Sequence, residues 1–241
     1  TVVLTGSIPQ GFLRQTGVVL RRDVSAEGNV SLYLLLKGTG PVWASAPGAG
    51  KGRIRFGGGV EPLTWGIFNL YKGARKFYLK SVEVKEDFWA LRSSAEGLRT
   101  LLEWDGLLCR HLAPGLPCDD VAAHFYWCSV LVRDGADPGA AGWRFLRRWL
   151  DSWGLAPSLD RCLFCGKALD DAFWSAEGLV CPGCAADRRG AFINNAGRKI
   201  LIAAAACSIE AFKRGFPPSP GDRQFWRDGC GRMRALLESV K

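Results

Sequence analysis

Histidine and methionine are scarce here: the 241 residues include two histidines and one methionine. His111 and His124 both lie in segments with helical periodicity. Neither has a serine, cysteine or paired carboxylate at a spacing that makes a catalytic unit, so both read as packed or surface residues and no enzyme is expected. Long apolar runs are missing as well. No stretch approaches the roughly 18 residues needed to span a bilayer, and no basic region followed by an apolar segment and a cleavage site opens the chain. A soluble, cytoplasmic protein with no membrane partner is the expectation. A phosphate-binding loop is excluded too: Gly50-Lys51-Gly52 lacks the following Ser/Thr, and the earlier glycine of the motif falls on Ser45.

A disulfide framework is also lacking. Nine cysteines are present, and Cys109, Cys118, Cys128, Cys207 and Cys230 have no regular spacing, which fits reduced thiols in apolar helices. The other four are regular. Cys162-Leu-Phe-Cys165 and Cys181-Pro-Gly-Cys184 are two CxxC pairs whose gaps let both thiolates of each tight turn face one ion. One structural zinc ion per chain, bound by Cys162, Cys165, Cys181 and Cys184, is expected. Four protein ligands leave no position open to water or substrate.

Acidic residues are outnumbered, and unevenly. The net charge is +9; residues 1–85 carry twelve Lys/Arg against four acids, residues 86–161 eight against eleven, and residues 186–241 eleven against five. Cations clustered at both ends suggest a polyanionic partner, because Lys/Arg gain affinity by releasing counterions from a phosphate backbone.

The first 85 residues read as strands: Thr16–Leu20, Val30–Leu36, Pro41–Ala46, Leu63–Leu70 and Phe77–Val84 are short β-branched and aromatic runs punctuated by Gly, Asn and Pro. Five strands of this length predict a small barrel, with a glycine-rich cationic loop at residues 48–59. From about residue 88 the period becomes helical. Ser93 with Glu96 has capping-box spacing ahead of a stripe of Leu98, Leu101, Leu102, Leu108 and Leu112. Further helices are predicted at Asp119–Val132, Gly139–Trp153, Ala196–Phe212 and Asp222–Val240, the last with a stripe of Phe225, Met233, Leu236 and Val240. The cysteine segment, residues 160–187, reads as short turns inserted between two helices. Trp143, Trp149 and Trp153 are expected to anchor the helical core.

Arg14, Arg21, Arg22, Lys51, Arg53, Arg55, Lys72, Arg75, Lys76 and Lys80 share the β region with Tyr33, Trp43, Phe56, Trp65, Tyr71, Phe77 and Tyr78. A barrel with a basic groove and open rings holds single strands, the cations following phosphates and the rings stacking bases. Core packing is the favoured role for each ring, since a small barrel must fill its interior. These ten cations are the candidate DNA contacts. No row of Arg or Asn on a helix suggests base-edge readout.

The chain resembles the RecO family of bacterial DNA repair and recombination mediators over most of its length. The resemblance rests on Thr16-Gly17-Val18-Val19-Leu20-Arg21, the strand Leu32 to Leu36, Gly57-Gly58-Gly59 leading to Glu61-Pro62-Leu63, and Phe88-Trp89-Ala90-Leu91-Arg92. Its most specific part is Trp153-Gly154-Leu155-Ala156-Pro157-Ser158-Leu159-Asp160-Arg161-Cys162. The resemblance implies an α+β architecture: an N-terminal five-stranded OB-fold barrel (residues 1–85), then a mainly helical domain (86–241) with an inserted zinc-binding module at about 160–187. It also implies binding of single- and double-stranded DNA, strand annealing, work with RecR, loading of RecA onto DNA coated by single-strand-binding protein, and a cytoplasmic, nucleoid-associated location. Two other readings stand beside it, a zinc-dependent nucleic-acid-processing enzyme and a protein-only interaction module.

Overall fold

The computed structural model describes residues 9–50, 55–185 and 190–240. They form two compact units, residues 1–123 and 124–241. The change from strands to helices comes where the sequence places it, near residue 86, but the first helix and the start of the second belong to the first unit.

In the first unit, β1 (Gly11–Val24), β2 (Val30–Leu36), β3 (Gly40–Ser45), β4 (Trp65–Lys72) and β5 (Phe77–Glu86) close into a barrel in the order β1-β2-β3-β5-β4. All neighbours are antiparallel except β3 and β5, which close the barrel through a short parallel pairing at Ala44↔Phe77 and Ser45↔Tyr78. Alternation along the strands sends Val19, Leu32, Leu34, Leu36, Phe68, Leu70, Phe77 and Leu79 into one core, and every second residue outward. Gly17 and Gly66 lie where strands approach closely: a Cβ would stand 2.3 Å from the Leu35 carbonyl at the first and 2.4 Å from the Glu83 carbonyl at the second.

A 3-10 turn (Trp89–Ser93) leads into α1 (Ala95–His111), whose N-cap is Ser94, its hydroxyl accepting from the Gly97 amide at 3.2 Å. Ser93, the expected cap, instead donates to the Ala90 carbonyl at 2.8 Å, since the extra turn shifts the helix start by one residue. Leu101, Leu108 and Leu112 of the expected stripe are buried, whereas Leu102 is exposed and Trp104 and Leu107 take its place.

Asp105 on α1 is 7% exposed, with a buried Oδ1 that has no hydrogen-bond partner among the described residues. Burial pushes its carboxyl up to about 8 and, with the Asp105 charge adding, pushes the neighbouring Cys109 thiol up to about 12. The folded chain therefore holds the Asp105 proton more tightly than the unfolded chain does. The associated stability is complete below about pH 4 and is lost as pH rises through about 8. Asp105→Asn removes this dependence: denaturant unfolding should show the variant more stable than the parent by a few kcal/mol, to order of magnitude, at pH 8. The difference should shrink progressively towards pH 5, and equal stability of the two proteins at pH 8 would show that Asp105 is solvated or paired.

Helix α2 (Asp119–Arg133) crosses the division. In the second unit, α3 (Pro138–Ser152) starts at Asp137, whose carboxylate accepts from the Ala140 amide at 2.8 Å, and ends before Gly154 at φ 71°. The stretch expected as one helix over 196–212 is two, α4 (Asn195–Ala206) and α5 (Ile209–Gly215), because Ser208 caps α5 at the Ala211 amide. Arg144 and Arg148 of α3 donate to the carbonyls left open at the α4 end: Arg144 reaches Ala204 at 2.9 Å and Cys207 at 2.8 Å, and Arg148 reaches Ala205 at 2.8 Å. Trp143 and Trp149 are fully buried, Trp143 donating to the Leu201 carbonyl at 2.8 Å, while Trp153 is partly exposed.

On α6 (Arg223–Ser239) the buried face is Trp226, Gly229, Cys230, Met233 and Leu237. The expected stripe shares only Met233 with it. Gly229 and Gly139 let α6 and α3 approach, a Cβ at Gly139 falling 2.7 Å from Trp226, and this contact sets the helix rotation. Among the described residues no helix is long and apolar enough to cross a membrane.

Candidate metal centre and nucleic-acid interface

Two turns and a small sheet build the cysteine site. The segment expected as turns alone contains β6 (Ala172–Trp174) and β7 (Leu179–Val180), and β8 (Ala191–Ile193), just beyond it, completes a sheet ordered β7-β6-β8. The first turn closes through the Gly166 amide to the Cys162 carbonyl at 3.0 Å, with Gly166 at φ 70°, and the Leu163 amide ties it to the Leu179 carbonyl of β7 at 2.8 Å. The second turn follows β7 directly, the amides of Cys184 and Ala185 both donating to the Cys181 carbonyl at 3.0 Å.

These turns bring the four sulfurs within 4.8 Å of one another. The Cys165 and Cys181 Sγ atoms are 3.7 Å apart, too far for a disulfide and close to the edge, about 3.8 Å, of a tetrahedron with metal–sulfur bonds of about 2.3 Å. The Cys181 amide donates to the Cys162 Sγ at 3.3 Å. Burial pushes the Cys162 thiol up, but the amides of Cys165, Cys181 and Phe164 more than offset this and bring it down to about 6. The donor set suits a soft metal ion.

Arg198 of α4 holds the approach to this site and carried no signal in the sequence. Buried, it donates to the Leu159 carbonyl at 2.9 Å, the Asp160 carboxylate at 3.1 Å, the Asp170 carbonyl at 3.2 Å and the Asn195 side chain at 2.9 Å. The five remaining cysteines, Cys109, Cys118, Cys128, Cys207 and Cys230, are in no disulfide. His111 ends α1 and His124 lies in α2, both half-buried.

The barrel cations divide into distinct sets. Lys51 and Arg53 lie outside the described residues. Arg14 pairs with Glu83 at 3.2 Å, Arg21 with Asp23 at 2.8 Å and Arg22 with Glu61 at 3.6 Å. Glu83 also pairs with Lys85, and these hydrogen bonds and charges, Lys85 first, hold its carboxyl below the usual range. Arg55 donates to the Pro47 carbonyl at 2.9 Å and lies over the Phe56 ring. Lys72, Arg75, Lys76 and Lys80 sit together on the β4–β5 hairpin, with no carboxylate partner among the described residues. Of the rings, Tyr33, Phe56, Trp65 and Phe77 are buried, while Trp43, Tyr71 and Tyr78 reach the surface.

Residues 129–216 match the family model described as recombination protein O C terminal. A DNA repair protein RecO of Anaeromyxobacter dehalogenans (strain 2CP-C) is 33% identical over 180 residues, which cover 72% of this chain and 70% of that protein. The RecO of Koribacter versatilis is 31% identical over 241 residues, covering 95% and 92%. That of Acetivibrio thermocellus is 23% identical over 184 residues, covering 75% and 73%.

Proposed function

The chain belongs to the RecO family of DNA repair proteins, and on that basis we propose that it is a non-enzymatic recombination mediator. It binds and anneals single-stranded DNA, and with RecR it helps load RecA onto DNA coated by single-strand-binding protein. The observation that carries the DNA-binding part is the β4–β5 hairpin, where Lys72, Arg75, Lys76 and Lys80 form a basic edge not neutralised by nearby acids. The strand order and the parallel closure of β3 on β5 support an OB-fold, a barrel whose surface commonly carries oligonucleotides. Phosphate contacts by these cations give affinity without sequence preference. Arg14, Arg21 and Arg22, each next to a carboxylate, contribute less, and Arg55 with Lys51 and Arg53 forms a second basic segment.

Cys162, Cys165, Cys181 and Cys184 hold one zinc ion in this account. A closed four-thiolate set braces the segment around it and offers no site for hydrolysis. Annealing follows from a basic surface that lowers the repulsion between two strands. Mixing complementary labelled strands should show faster annealing with the protein than without it, persisting when the strands carry single-strand-binding protein. No acceleration on bare strands would overturn the annealing role, and strand cleavage on adding divalent metal would favour a zinc-dependent enzyme.

A further inference from the structure

The outer face of β1, β4 and β5 carries a row of rings. Leu13, Leu70, Phe77 and Leu79 face or pack against the barrel core, so Phe12, Tyr71 and Tyr78 turn outward. The register aligns them across three strands, Phe12↔Tyr71 and Tyr71↔Tyr78. Phe12 is 79% exposed and Tyr78 36%. The Phe12 and Tyr71 centroids are 5.2 Å apart at 64°, leaving faces and edges of different rings open. Single exposed rings are ordinary, but rings aligned across three strands and rimmed by cations make a contiguous patch of the kind that marks a binding site.

Charge surrounds the row. Lys80 Nζ lies 5.5 Å from the Tyr71 ring, and Arg75 and Lys76 occupy the adjoining hairpin turn and are exposed, whereas Lys72, opposite the inward Phe77, lies on the other face of the sheet. The other aromatic row, Arg21–Tyr33–Trp43 across β1, β2 and β3, lies on the face that OB barrels more commonly use. Here it is poorly suited to a polyanion. Tyr33 is buried, Arg21 is taken by Asp23, and the cavity beside the 46% exposed Trp43 is lined by Asp23 and Glu27.

We propose that Phe12, Tyr71 and Tyr78 form a stacking platform for the bases of single-stranded DNA, with Arg75, Lys76 and Lys80 holding the phosphates along its margin. This rests on the DNA-binding reading above and adds to it the face used and the basis for choosing single strands. Bases in a duplex are already stacked on one another and cannot lie on the rings, whereas an unpaired base of any identity can. The platform therefore separates single from double strands without reading sequence, while the cations attract both.

The test uses the full chain with the double variant Phe12→Ala/Tyr78→Ala, together with Tyr78→Phe and Trp43→Ala. Each is titrated at one salt concentration against a single-stranded oligonucleotide, an abasic strand of equal length and a duplex. The double variant should lose about tenfold or more in affinity for the single strand and bind the abasic strand and duplex as the parent does, with an unchanged melting temperature. Tyr78→Phe, which keeps the ring, and Trp43→Ala should bind like the parent. Undiminished single-strand affinity in the double variant, or a loss confined to Trp43→Ala, would overturn the platform while leaving DNA binding in place. So would self-association of the parent that the double variant abolishes with DNA affinity intact. Failure of the parent to bind any of the three ligands would instead sink the DNA-binding reading, and the platform with it.

Discussion

Cys165→Ser should open the cysteine segment, destabilising the second unit by several kcal/mol while the barrel keeps its fold. The reason is geometric. Residues 159–185 have two-residue and three-residue strands and a small apolar interior, Leu159, Leu169, Ala172, Trp174, Leu179 and Val180 being its main buried members, too little to hold the chain alone. The proposed four-thiolate zinc site would supply what is missing, since apparent binding energies for structural zinc are of order 10 kcal/mol or more near neutral pH. A serine leaves three ligands and an open position. Metal analysis of the parent should give one zinc per chain, and a strong chelator should reproduce the effect of the substitution, exposing Cys162, Cys181 and Cys184 to thiol reagents. Arg198 would still hold Leu159 and Asp160, so opening should stop short of α4. Unchanged melting and thiol protection after complete metal removal would show that the sulfurs are held by packing. A loss of DNA affinity with stability intact would give the metal a direct part in binding.

The second large effect concerns the hairpin. Arg75→Glu/Lys76→Glu/Lys80→Glu reverses three exposed cations and should weaken single-strand binding on the order of a hundredfold at low salt, leaving the fold unchanged. A phosphate that no cation meets keeps its counterions, so the slope of log affinity against log salt should become shallower by about 2, at roughly 0.7 per phosphate for a single strand. Reversing Arg14 and Arg21 should do less, because Glu83 and Asp23 already offset their charges. Equal losses of affinity in the two variants would mean that the local ion pairs do not govern which cations meet DNA.

Much of the barrel was readable because its strands are short β-branched, leucine and aromatic runs and its turns carry glycine. The exception is β1, expected at Thr16–Leu20 and observed at Gly11–Val24. Its first half, Phe12 to Gln15, mixes charged and aromatic residues, and pairing with β4 makes it a strand. That half carries Phe12, so the most exposed ring of the row fell outside the predicted strand. The clustering of the four cysteines was legible from spacing alone because a CxxC turn is local. The small sheet around them was not, since strands of two or three residues are defined by partners and not by propensity.

Pairing also explains what could not be read among the cations. Arg14 and Glu83 are 69 positions apart in sequence, and nothing local distinguishes Arg14 from Lys80. In the helical part, Ala196–Phe212 looked continuous because alanine and isoleucine fit a helix and Ser208 is tolerated inside one, yet Ser208 acts as a cap and breaks it. The α6 stripe was offset by one position at Phe225 and Leu236 because Gly229, invisible to a hydrophobic pattern, sits at the contact with Trp143.

The central claim, that a basic barrel binds single-stranded DNA through its phosphates, is tested most directly by titrating a labelled single-stranded oligonucleotide with the parent protein over a series of salt concentrations. Affinity should fall along a straight line in log–log coordinates, with a slope of about −2 or steeper for three or more phosphate contacts. Affinity that stays level between low and physiological salt would contradict it.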